Sequence, residues 1–206
     1  ELKGSRDNYV HFIQEPFDQA SIVRPYCKWL WTLPSGVVAK EALRRAHSVA
    51  HSDPKGPVYL MLPRETLTET WDQAAVRAFP EERYGPVAAG AADSTLVAAL
   101  AERLIEARHP ILLTSYSGRN KATPALIDEL ARFAGIRVFE PHPSHLNFPR
   151  ESPCFLGFLP GKHVATADLG LMGDTDVPWI PMETAENPDT YWAHIVEETD
   201  LKDSAT

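Results

Sequence analysis

Gly56-Pro57-Val58-Tyr59-Leu60-Met61-Leu62-Pro63-Arg64-Glu65 is the stretch that decides the fold. A Gly-Pro turn opens it, a second proline closes it, and the residues between are apolar at nearly every position. That is the pattern of a parallel strand covered on both faces. Upstream, Val38, Ala42, Leu43, Ala46, Val49 and Ala50 recur at helical spacing, with Lys40, Glu41, Arg44 and Arg45 on the other face. Pro34-Ser35-Gly36 supplies the start signal for this helix. Before it, Lys28-Trp29-Leu30-Trp31-Thr32-Leu33 is rich in β-favouring residues and predicts a short strand. Strand, helix and strand make a βαβ step. It closes early for a doubly wound domain, so the sequence is expected to enter a domain partway through. Residues 9–14 are expected as a strand and residues 16–24 as a short helix ending before Pro25.

Downstream, residues 66–93 show no sustained period and several breakers, as an interdomain connection does, with one helical turn expected near Trp71 to Phe79. A second α/β unit then begins. Asp93 or Ser94 is the expected N-cap of a helix carrying Leu96, Val97, Leu100, Leu104 and Ile105, which His109-Pro110 stops. Ile111 to Thr114 is a short buried strand and Ser115 to Lys121 a polar loop. Thr123 is expected to cap the next helix, with Pro124 at its first position and Gly135 just past its end. Ile136 to Phe139 is the following strand, so residues 94–139 form a Rossmann-like half. Residues 140–166 read as loop with one possible short helix. Asp168 to Met172 and Tyr191 to Val196 are further strand candidates.

Composition narrows the function classes. There are 28 acidic against 20 basic residues, a net charge of −8, which argues against a nucleic-acid or anionic-membrane surface. No apolar run approaches the ~18 residues of a membrane span, and no signal peptide is recognisable. Cys27 and Cys154 are too few for a disulfide framework or a zinc site, and reduced thiols in a cytoplasmic protein are expected. His142, His145 and His163 lie in a proline-rich loop region with no helix to converge their rings, and are read as ordinary loop histidines. Trp29, Trp31, Trp179 and Trp192 are assigned to a core or interface.

Three groups of segments, in this order and spacing, resemble the thiamine diphosphate-dependent enzymes of the acetolactate synthase and pyruvate oxidase group. The first is Phe12-Ile13-Gln14-Glu15 with Ile22-Val23-Arg24 and Lys28. The second is Arg45-Ala46 with Gly56 to Arg64. The third is His109-Pro110-Ile111-Leu112-Leu113 with Val177-Pro178-Trp179-Ile180-Pro181. The resemblance implies that residues 1–66 are the second half of a pyrimidine-binding domain, 67–93 a linker, and 94–206 a Rossmann-like central domain. The expected fold class is α/β: a parallel-sheet central domain preceded by a partial α/β domain. It further implies a lyase or carboligase acting on 2-oxo acids or related small molecules, using thiamine diphosphate and Mg2+, and assembled as a homodimer or homotetramer. That cofactor supplies the carbanion chemistry, and the protein binds and orients it. The family's catalytic glutamate and its Gly-Asp-Gly metal motif would belong to parts of the protein that this sequence does not carry. Its natural partner is thus the remainder of its own chain, and the residues here are expected to be catalytically silent alone. Gly173-Asp174-Thr175-Asp176 lies before the end of the central domain and is not assigned to metal.

By the same resemblance, Gln14, Lys28 and Arg64 fall where family members line the approach to the thiazolium. A cation there would attract a 2-oxo acid carboxylate, and arginine favours planar two-point pairing. The alternative is that Lys28 and Arg64 are solvated charges at strand ends. In the central domain, Gly118 and Arg119 occupy a strand-to-helix loop of the kind that cradles phosphates. Related synthases have several glycines there and bind FAD. This loop has one glycine and Tyr116, so a structural loop is favoured over a dinucleotide site. A nucleotide-binding module or a structural spacer therefore stands as the competing function.

Overall fold

A computed structural model describes residues 16–76, 80–87 and 90–195, and the expected strand at residues 9–14 lies outside them. The chain divides into two compact units at Gly90–Ala91.

In the first unit, single-turn helices at Gln19–Ile22 and Arg24–Tyr26 precede strand β1 (Trp29–Thr32). These are 3-10 turns rather than the one short helix expected over 16–24. Pro25 sits inside the second turn, where its missing N–H costs nothing. A 3-10 turn at Gly36–Val38 leads into α1 (Ala39–His51), and the Ser35 side chain accepts the Val37 N–H at its start. Ala42 and Ala46 are the buried contacts of α1, small enough to bring the helix close to the sheet. Strand β2 (Val58–Met61) then pairs with β1 in parallel, Trp29 opposite Val58 through Thr32 opposite Met61. All four residues of β2 are half-buried, against the expectation of full cover, because β1 is its one strand neighbour among the described residues. Helix α2 (Arg64–Thr68) follows, and buried Thr66 donates to the Leu33 carbonyl, fastening α2 to the end of β1. A 3-10 turn at Gln73–Ala75 and α3 (Glu81–Tyr84) complete this unit. The Ser48 hydroxyl donates to the Gly85 carbonyl, holding that segment against α1.

The second unit is one parallel sheet. Asp93 caps α4 (Ser94–Glu106), accepting the N–H groups of Thr95 and Leu96, which hold its carboxyl below the usual range. Strand β3 (Pro110–Thr114) is buried at every residue. After a 3-10 turn at Ser117–Arg119, α5 (Thr123–Ala134) begins one residue earlier than the capping pattern predicts. Thr123 is its first helical residue, and the Asn120 side chain takes the Ala122 N–H ahead of it. Gly135 ends α5 at φ 67°, the left-handed conformation that glycine enters without a Cβ penalty. Strand β4 (Arg137–Phe139) is followed by β5 (Phe155–Gly157), which the loop reading of 140–166 did not anticipate. Helix α6 (Gly161–Val164), β6 (Leu169–Gly173) and β7 (Tyr191–Ile195) complete the unit. The strand order is β5-β4-β3-β6-β7, all parallel. Numbered within the unit this is 3-2-1-4-5, the Rossmann arrangement, with its switch point between β3 and β6.

Two apolar layers flank this sheet. Leu112, Val138, Ile136, Phe148 and Leu171 meet Leu100 and Leu104 of α4 and Ile127 and Ala131 of α5. On the other face Ile111, Leu113, Phe139 and Met172 meet Val164 and Ala167, with Trp179 and Trp192 packed against them. Each fully buried side chain of this size stabilises the fold by about 1.5–3 kcal/mol.

The amino ends of the strands are pinned by charge. Burial raises the Asp168 carboxyl, but the N–H groups of Arg108 and His109 that it accepts outweigh this and leave it lowered. Arg137 donates to the His109 carbonyl and to Nδ1 of His163, whose ring lies 5.0 Å from that of Phe139. Since a guanidinium only donates, His163 Nδ1 is the acceptor and the ring is neutral. Burial lowers the His163 pKa, with Arg137 and Lys162 adding to the effect. A histidine with a folded pKa below its unfolded 6.5 contributes full stability above that value and loses it as pH falls toward the folded pKa. Denaturant unfolding from pH 8 to pH 5 should therefore show stability declining below about pH 6.5. His163→Phe should show a shallower decline.

Candidate functional site

In parallel α/β sheets, ligands approach the carboxyl ends of the strands, at the switch point. Here that region is built by the loops leaving β3, β4 and β6. Asp174 follows β6 at φ 47°, and its carbonyl accepts the N–H groups of both Ser115 and Tyr116. Ser117 accepts a hydrogen bond from Thr114 and donates to the Gly173 carbonyl; the Tyr116 hydroxyl donates to Asp176. The Ser115 hydroxyl lies 2.7 Å from that of Thr175 and donates to the Pro141 carbonyl.

Asn147 is the hub of this edge. Fully buried, it accepts the Gly118 N–H at 2.9 Å and donates to the carbonyls of Ser115 and His145, while its own N–H goes to Glu140. Glu140 is also fully buried, at the end of β4, and its second oxygen pairs with Arg150. The Arg150 guanidinium lies 4.7 Å from the ring centroids of both Phe155 and Phe158. Cation–π contact replaces part of the water that an arginine gives up on pairing. Neither Glu140 nor Asn147 stands out in the sequence. The one signal was an acidic residue directly after a buried strand and ahead of a proline-rich loop.

Of the residues read as cofactor-binding, Gly118 has its N–H committed to Asn147, and a Cβ there would come 2.1 Å from the Leu146 carbonyl oxygen. It is glycine because the 140–150 loop crosses it. Arg119 pairs with Asp174 at 3.3 Å and lies over the Tyr116 ring at 4.7 Å. The N–H groups of residues 115, 116, 118, 119 and 120 all have acceptors within the protein. A dinucleotide phosphate needs such groups turned outward, so this loop does not fit FAD. The residues here do not fit magnesium diphosphate either. The Asp174 carboxylate faces Arg119, and no group of three or more His, Cys, Asp or Glu side chains among the described residues could hold a metal ion.

In the first unit the three access candidates separate. Gln14 lies outside the described residues. Lys28 stands at the amino end of β1, and its ammonium donates to the carbonyls of Ser52 at 2.7 Å and Pro54 at 2.8 Å. It braces the turn between α1 and β2. Arg64 opens α2 directly after β2, exposed, on the carboxyl edge of the β1–β2 pair. The structure thus places Lys28 and Arg64 at opposite ends of that pair.

The parallel βαβ step of the first unit and the 3-2-1-4-5 sheet of the second each match the α/β fold of thiamine diphosphate-dependent enzyme domains. The chain is similar over nearly its whole length to such enzymes. It is 28% identical over 145 residues to benzoylformate decarboxylase of Pseudomonas aeruginosa, covering 69% of this chain and 27% of that protein. Among solved structures, the thiamine diphosphate-dependent 4-hydroxybenzoylformate decarboxylase of Rhodococcus jostii matches with a TM-score of 0.69 at 20% identity, over 96% of this chain and 39% of its own. Benzoylformate decarboxylase from Polynucleobacter necessarius matches with a TM-score of 0.65 at 20% identity, over 92% and 37%. The chain therefore spans well under half the length of these relatives. No protein-family model matches it. No helix among the described residues is long and apolar enough to cross a membrane.

The Asn147 hub carries a stability test. Asn147→Ala strands the Gly118 N–H and takes the side-chain donor from the His145 carbonyl, while the Ser115 carbonyl keeps the Ser144 N–H, and unfolding in urea should register a loss of about 1–3 kcal/mol. Gly118→Ala should cost at least as much, since the Leu146 backbone has to move. Arg119→Ala, which leaves the largely buried Asp174 carboxylate without this partner, should cost about 3 kcal/mol or more.

Proposed function

We propose that this chain is part of a thiamine diphosphate-dependent decarboxylase of 2-oxo acids. Its first unit supplies one wall of the substrate approach, and its second unit serves as a frame. The observation that carries the reading is the 145-residue similarity to a benzoylformate decarboxylase, supported by two further decarboxylases among the structural matches. Decarboxylation of a 2-oxo acid is thereby favoured over the carboligation of acetolactate synthases.

Arg64 is the residue assigned to the substrate. It lies at the carboxyl edge of the β1–β2 pair, where parallel strands present their ligands, and its planar guanidinium matches a carboxylate in two-point contact. Lys28 is assigned to folding, because its ammonium is already held by two carbonyls. The proposed complete enzyme binds thiamine diphosphate and Mg2+ through groups other than those described here, and works as a homo-oligomer in the cytoplasm.

The competing reading, a nucleotide-binding module, is disfavoured by the inward-facing amides of the 115–120 loop. Two measurements on the full-length gene product test the proposal. With benzoylformate and pyruvate as substrates and added thiamine diphosphate and Mg2+, CO2 release should be readily measured. Arg64→Ala should raise KM at least tenfold with a smaller fall in kcat, a loss of about 1.4 kcal/mol or more in substrate binding. Lys28→Met should lower thermal stability while leaving KM within about twofold. No CO2 from any 2-oxo acid would overturn the proposal, and an unchanged KM in Arg64→Ala would remove that residue from it.

A further inference from the structure

The segment after α2 is laid back across the loop that leaves β1, and Gly36 is where the two meet. The Gly36 N–H donates to the Glu69 carboxylate at 3.2 Å, and Glu69 is the residue that ends α2. Two residues further on, the Trp71 indole lies against the Gly36 backbone. A Cβ at Gly36 would come 2.7 Å from Cδ1 of that ring and closer still to Nε1. The φ of Gly36 is not positive, so glycine serves here to admit the ring and not to free the backbone. Trp71 is 41% exposed, so core packing does not account for the contact.

Helix α2 has five residues, far short of the ~12–15 at which a helix begins to hold itself in water, so contacts with the rest of the unit set its place. Those contacts run along one loop. Thr66 reaches the Leu33 carbonyl at 3.3 Å from the middle of α2, and Glu69 and Trp71 grip Gly36 from beyond its end. Arg64 is the first residue of α2, so the direction of its side chain follows from where the helix is held. We propose that Trp71 is a positioning residue for the substrate: with Glu69 it clasps Gly36, fixes α2, and so holds Arg64 where it meets the carboxylate of a 2-oxo acid. This rests on the assignment of Arg64 to the substrate and extends it. The bond from Gly36 to Glu69 is exposed and competes with water, whereas the contact of the indole with the Gly36 backbone does not. The ring takes no part in the chemistry. A misplacement of about 1 Å in a substrate-orienting group is enough to weaken the reaction strongly.

The test uses the full-length gene product with thiamine diphosphate and Mg2+ added, and benzoylformate and pyruvate as probes. Hydrogen exchange over residues 64–69, read by mass spectrometry, should quicken about tenfold in Trp71→Ala and in Gly36→Ala. Exchange over β3 should stay as it is, which shows that each variant is folded. Gly36→Ala added to Trp71→Ala should change nothing more, because the ring that its Cβ displaces is gone. In CO2 release both single variants should raise KM about fivefold with kcat within about twofold, and Trp71→Phe should bring KM most of the way back. A role in folding alone would lower the amount of active enzyme and leave KM unaltered. Unchanged exchange over 64–69 in both single variants would overturn the proposal, as would faster exchange with an unchanged KM. Arg64→Ala tells this apart from a failure of the underlying reading. If it leaves KM unaltered, or no CO2 is released, the assignment of Arg64 falls and the positioning role falls with it. If it raises KM while Trp71→Ala does not, the positioning role alone falls.

Discussion

Everything in the second unit depends on β3 being a central strand with parallel partners on both sides. All five of its residues are buried, and Pro110 to Thr114 are in register with Leu169 to Gly173 on one flank. On the other flank Ile111 to Leu113 match Arg137 to Phe139. A strand so placed sends the chain out at its carboxyl end between two neighbours that also end there. Three polar loops then converge where no regular partner exists for their backbone groups. Burial of those groups without partners would cost about 1–3 kcal/mol each. The side chains of Asn147, Ser115 and Ser117, with the carbonyl of Asp174, meet that demand. The edge is closed because the protein needs its own donors there.

That closure separates fold from ligand. A 3-2-1-4-5 sheet offers its switch point to nucleotides only when glycines let the backbone come near and leave amides facing out. Here the single glycine of the loop is held by the passage of the 140–150 segment over it, and the amides point inward. The same architecture that elsewhere binds a dinucleotide is closed here by its own hydrogen bonds. That closure includes a buried charge. Glu140 is sealed in the interior, and Arg150 reaches it between two phenylalanine rings. Such a pair is weak evidence for net stability, yet losing one member leaves an uncompensated charge, so the 140–150 loop has few alternative arrangements.

Much of this architecture was legible from local chemistry. The β2 strand announced itself through its bracketing prolines, α4 through Asp93, and the end of α5 through Gly135. Each signal is a short-range one: a missing N–H, a side-chain acceptor, a left-handed φ. What escaped depended on contacts distant in sequence. Strand β5 is three residues long and, among the described residues, pairs with β4 alone, with a register shift between Val138 and Phe139, so it carries no alternation to read. Thr123 fits a capping pattern, but Asn120 performs a neighbouring task one turn earlier. The roles of Glu140 and Asn147 arise only when β4 is brought beside β3, and no spacing in the sequence encodes that.

The same distinction governs the two cations that the family resemblance brought together. Lys28 and Arg64 both lie beside strand ends in the sequence, and periodicity treats them alike. The parallel pairing of β1 with β2 makes them different, because it gives the step one amino edge and one carboxyl edge. Lys28 falls on the first, and the turn from α1 into β2 supplies two carbonyls at hydrogen-bond distance. A lysine so placed satisfies acceptors that the turn leaves without helix or sheet partners. Arg64 falls on the second edge, beyond Pro63, whose φ of −59° and ψ of 142° turn the chain out of β2 and into α2. Strand direction, more than charge or spacing, is therefore what marks one of them as structural and the other as the residue to test against substrate.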